Sequence, residues 1–87
     1  MGKLKKLKMA TVIIDPEEDD IAEIVANDNR FKPIYVGTKD SRRMNLYKDG
    51  PAFKDTRFEF VKTKNDIIPT CEKIIADNGY KAVITKN

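Results

Sequence analysis

An α+β fold is predicted from three observations. Four segments are rich in β-branched residues, two others combine apolar residues at helical spacing with capping residues, and the two kinds follow one another as strand, helix, strand, twice over. That order is the βαββαβ arrangement of a ferredoxin-like sandwich, here with a long insertion between the second and third strands. The alternative is a small open α/β sheet with helices on both faces.

The first strand is expected within residues 4–14, which end in Ala10, Thr11, Val12, Ile13 and Ile14. Residues 1–8 read as a basic arm or an extension of that strand. The first helix is expected from "DPEEDDIAEIVAN", ending by Asn29. Asp15 stands as N-cap, Pro16 at the first helical position and Glu18 where a capping box needs it, and Ile21, Ile24 and Val25 form an apolar stripe. "KPIYVG" is the second strand and "RFEFVKT" the third. In "NDIIPTCEKIIADNG", Asn65 or Asp66 is the expected cap, and Ile67, Ile68, Cys71, Ile74 and Ile75 share a face. Gly79 is placed for a left-handed C-cap with Tyr80 folding back on Ile75. "KAVITK" closes the chain as the fourth strand.

"TVII", "IYV" and "AVI" are continuous apolar runs, which mark strands buried on both faces. Two helices on one side leave the other face bare. The insertion, residues 37–56, or a second copy of the chain should then cover it. Met44 and Leu46 alternate with Asn45 and Tyr47 ahead of the turn "DGP", so the insertion is expected to be a hairpin or ordered flap.

The chain has 87 residues, which sets one domain with a modest core as the expectation. Cys71 is its single cysteine, so no disulfide forms within the chain. No run approaches the ~20 apolar residues of a membrane span, and a cytoplasmic location is expected. Lysine outnumbers arginine and isoleucine outnumbers leucine, a bias that accompanies AT-rich genomes, including many phages.

Charge is strongly segregated. Residues 15–29 carry seven acids and no base, whereas residues 30–63 carry nine bases and four acids. Most of the aromatics lie in that basic middle. Cations neutralise phosphates and aromatic rings stack on bases, so this stretch has the ingredients of a nucleic-acid surface. Lys39, Arg42, Arg43, Lys48, Lys54 and Arg57 are the candidate cations; Tyr47 and Phe53 are the candidate stacking rings. "RFEFVKT" loosely resembles the third strand of RNA-recognition domains. However, Arg57 and Glu59 replace that motif's glycines, and Thr63 stands where an aromatic is required. Strand parity argues the same way: it is cheaper for Phe58 and Phe60 to face the helices than for Arg57 and Glu59 to do so.

The sequence has no histidine, which excludes Ser-His-Asp and Cys-His catalysis within one chain, and zinc sites built from His and Cys. An EF-hand loop starting at Asp15 lacks its glycine and its final glutamate. No cofactor is implied. The function expected is therefore that of a small non-enzymatic regulatory protein contacting an acidic partner, with nucleic acid favoured. A minor alternative is a metal-dependent enzyme centred on Asp15. A further alternative is a regulator or inhibitor of the phage or mobile-element type. It would bind a host protein through the acidic helix (Glu17, Glu18, Asp19, Asp20, Glu23) or an exposed sheet face. A homodimer is compatible with either binding role.

Overall fold

The acids after the first strand turn the chain back instead of starting a helix. In the computed structural model, which describes residues 8–86, β1 spans Met9–Ile14 and β2 spans Ile21–Ala26. The carboxylate of Asp15 accepts the N–H groups of Glu17 (2.9 Å) and Glu18 (3.0 Å), and the Asp15 N–H donates to the Ile21 carbonyl. These are the local bonds an N-cap would make, used here to close a hairpin. The helix expected over residues 15–29 is therefore absent. Ile21, Ile24 and Val25 fit both periods, and as a strand they fill both faces of a central position. Ala22 and Ile24 are buried on one face and Ile21 on the other.

β3 covers Ile34–Thr38, α1 Arg42–Lys48, β4 Arg57–Val61, α2 Ile67–Asp77 and β5 Lys81–Lys86. Short 3-10 turns occupy Pro51–Phe53 and Lys64–Asp66. The five strands form one mixed sheet in the order β4-β3-β2-β1-β5. β1 and β2 pair antiparallel, as do β2 and β3; β3–β4 and β1–β5 pair parallel. This is an α+β fold, but not the ferredoxin-like order, because β2 stands where the first helix was expected.

Parity along the strands assigns the two faces. Ala10, Val12, Ala22, Ile24, Ile34 and Val36 share one face and pack against Ile67, Cys71, Ile74 and Ile75 of α2. β4 and β5 are opposite edges, so α2 crosses the sheet between them. The helix stops as its sequence requires. Gly79 has φ +77°, its N–H donates to Ala76, and the Tyr80 N–H donates to Ile75, which is a Schellman motif. At its start Asp66 holds the expected N-cap position, but its carboxylate makes no bond to α2. Thr63 and Asp66 form a capping box around the 3-10 turn that leads into α2.

α1 lies on the opposite face. Met44, fully buried, sits over Gly37 of β3. The insertion is thus a short helix and a 3-10 turn, not a hairpin. Ser41 caps the helix by accepting the Met44 N–H at 3.2 Å. Helices on both faces account for the continuous apolar run of β3, whereas β1 has a helix on its α2 side alone. The expectation for β4 is half corrected. Phe58 does face a covering layer, but that layer is the α1 segment. Arg57 and Glu59 point to the α2 side, where they lie on the edge strand and stay partly exposed. Placed at an edge, the two charges escape the burial cost that parity alone implied. No helix among the described residues is long and apolar enough to cross a membrane. The basic arm at residues 1–8 falls outside the described residues except for Lys8.

Candidate functional site in the β3–β4 crossover

The eight candidate residues of the basic middle meet three different fates. Tyr47 and Phe53 become packing residues. Their rings stack at 4.7 Å between centroids, and both meet Tyr35 of β3 edge-on, at 5.4 and 5.7 Å. Tyr35 in turn stacks on Phe58 of β4 at 5.6 Å. Four rings from β3, α1, the 3-10 turn and β4 thus fasten the crossover to the sheet. Such pairs add about 0.5–1.5 kcal/mol each beyond their buried area. Tyr47 and Phe53, the two candidate stacking rings, are thus half-buried, and each already has a stacked aromatic neighbour within the protein.

Arg43 and Arg57 are paired within the chain. Arg43 binds the carboxylate of Asp15 and approaches Glu17 at 3.8 Å. It links α1 to the β1–β2 turn. Arg57 meets Glu59 at 2.8 Å along the β4 edge. Four cations remain outward-facing. Lys39 and Arg42 flank the start of α1, Lys48 ends it, and Lys54 follows the 3-10 turn; all four are exposed. Lys39, Arg42 and Lys54 form no ion pair among the described residues, while the Lys48 ammonium lies 5.8 Å from the Phe60 ring centroid. Asp40, Asp49 and Asp55 are exposed among these cations, so residues 37–56 carry five bases against three acids.

The acidic candidates are dispersed as well. Glu17, Glu18, Asp19 and Asp20 occupy the β1–β2 turn and Glu23 lies on β2, so these five residues form no acidic helix face. Asp19 pairs with Lys64 at 2.7 Å, and that hydrogen bond holds its carboxyl below the usual range. Asp15, Glu23, Tyr35 and Arg43 border a cleft of about 230 Å³. Burial, with the Glu23 carboxylate adding to it, pushes the Tyr35 phenol up to about 12. Asp15 reads locally as a cap and Arg43 as a surface cation. Their pairing joins positions 28 residues apart, and no local pattern in the sequence announces it.

Cys71 is fully buried in the α2 core, and burial raises its thiol to about 12. It is a packing residue, as its place on the apolar face of α2 suggested. Among the described residues, no group of three or more Cys, Asp or Glu side chains is placed to hold a metal ion. No family model matches the chain, and neither a curated protein nor a solved structure matches it.

Proposed function

We propose that this protein is a small non-enzymatic binding module whose β3–β4 crossover contacts the phosphates of a nucleic acid. One observation carries the reading: Lys39, Arg42, Lys48 and Lys54 are exposed on a short segment that four packed rings hold to the sheet. The packed support fixes the backbone that carries these cations, so binding orders their side chains and not the segment itself. With the rings occupied internally, contact would run through phosphate charge, with little selection for base sequence. The interspersed aspartates keep the expected affinity modest.

Fluorescence anisotropy with labelled single- and double-stranded oligonucleotides, at stepped salt, tests this. Engagement of three or four phosphates gives a slope of about −3 for log affinity against log salt on duplex DNA. Replacing Lys39, Arg42, Lys48 and Lys54 together by alanine should flatten that slope. An affinity that does not respond to salt rejects the proposal.

A second reading, contact with another protein surface, is favoured by the part of the sheet that α1 leaves uncovered.

A further inference from the structure

The sheet face that carries α1 is only half covered. α1 rests on β3, and its 3-10 turn adds Phe53 over Tyr35 and Phe58. Beyond them, β2, β1 and β5 present the same face with no helix of the described residues upon it. Met9, Ile13 and Val25 are half-buried there, and Val83 is 37% exposed.

The strand registers fix the pattern of this half-face. Glu23, Ile13 and Thr85 form one row; Val25, Thr11 and Val83 form the next; Met9 and Lys81 form the third. An acid therefore stands at one corner and a base at the diagonally opposite corner, with apolar residues between them and Thr11 at the centre. That pattern is self-complementary. A two-fold axis through Thr11, in the plane of contact and perpendicular to the Glu23–Lys81 diagonal, sets Glu23 against the second copy's Lys81 and Lys81 against the second copy's Glu23. It also brings Ile13 near the second copy's Val83 and Val25 near the second copy's Met9, with the two sheets crossing steeply.

We infer that this half-face is a homodimer interface. The chemistry favours a second copy over other occupants. A nucleic acid finds one lysine and no exposed aromatic ring on the patch, and a strongly charged protein finds a matching charge at only one corner. At ordinary strand spacing the patch is about 15 by 20 Å, roughly 600 Å² over the two copies, which is below the size of a stable interface, so the dimer is a weak, transient one that depends on concentration. The inference is independent of phosphate binding by the crossover.

Sedimentation across a concentration series, at low salt and up to the solubility limit, tests it. The wild-type protein should show a reversible monomer–dimer equilibrium, and Thr11→Arg should abolish the dimer. Glu23→Lys and Lys81→Glu should each raise the dissociation constant about tenfold, since each change acts twice across the axis. The double variant Glu23→Lys/Lys81→Glu should return it to near the wild-type value. Circular dichroism melts confirm folding, and the charge-exchange pair keeps the test decisive if Thr11→Arg fails to fold. A wild-type monomer at every concentration overturns the inference. So does a dimer that Thr11→Arg leaves intact, or a double variant no tighter than the single ones.

Discussion

Met44 of α1 packs against Gly37 of β3 so closely that a Cβ on the glycine would lie 2.5 Å from the Met44 Cγ and 2.8 Å from the Asp20 carbonyl oxygen. The contact seats α1 on the sheet, and with it the crossover that carries the exposed cations. The Met44 side chain has some freedom to move. The Asp20 carbonyl does not, because it accepts the Thr38 N–H at 3.1 Å. Gly37→Ala should therefore destabilise the protein by about 1–3 kcal/mol through overpacking, although the backbone φ there is ordinary. Urea unfolding measures this; a variant as stable as wild type would show that α1 is not seated on β3 in this way.

Arg42 and Arg43 are neighbours in sequence with separate roles. Arg42 is exposed and unpaired among the described residues, whereas Arg43 holds the largely buried carboxylate of Asp15, whose side chain is 12% exposed. Arg42→Ala should weaken phosphate binding and reduce its salt slope by about one, with stability unchanged. Arg43→Ala should lower stability by about 1 kcal/mol. The cost stays small because Asp15 keeps its two backbone donors and the arginine itself is 39% exposed. Parallel melts and anisotropy titrations of the two variants separate the roles, and identical behaviour would contradict the assignment.

Which elements were legible follows from which signals were unambiguous. α2 has a long apolar face and an unmistakable stop at Gly79–Tyr80, so both its body and its C-terminal geometry were readable. β1, β3, β4 and β5 were readable from β-branched and aromatic runs. β2 was not, since "IAEIVA" serves either period and the acids before it satisfy each other's backbone as well in a turn as at a helix start. α1 was missed because only one of its seven residues, Met44, is fully buried, which leaves no apolar stripe. Its one clear signal was Ser41, three residues ahead of Met44. The cations of the candidate site were visible as residue types. Their sorting into exposed and paired depends on the Asp15–Arg43 and Arg57–Glu59 contacts and on the ring cluster, which the tertiary fold creates.

The ring cluster implies that Phe53 is a structural residue. Phe53→Ala removes contacts with Tyr35, Tyr47 and Phe58 at once. Because the ring is only half-buried, the expected loss is about 2 kcal/mol, below the range for a fully enclosed phenylalanine. Binding to oligonucleotides, measured where the variant is still folded, should change little. A tenfold loss of affinity without a loss of stability would instead restore Phe53 as a stacking residue.

Two groups that burial keeps protonated set the behaviour in alkali. Cys71 and Tyr35 are neutral when protonated, and both are raised to about 12, from ordinary values of 9.0 and 10.0. In the unfolded chain they release their protons near those ordinary values. Between the two limits the unfolded state therefore binds fewer protons, and stability falls as pH rises. Their contribution should be fully present below pH 9 and decline toward pH 12. Cys71→Ala isolates the thiol. It should cost roughly 1–2 kcal/mol near neutrality through lost packing. Its stability should then decline less steeply above pH 9, by up to about one proton in the slope of unfolding free energy against pH. Urea unfolding at a series of alkaline pH values provides both numbers. Parallel slopes for wild type and variant would mean that the thiol ionises alike in the folded and unfolded chain, and would contradict its burial beneath α2.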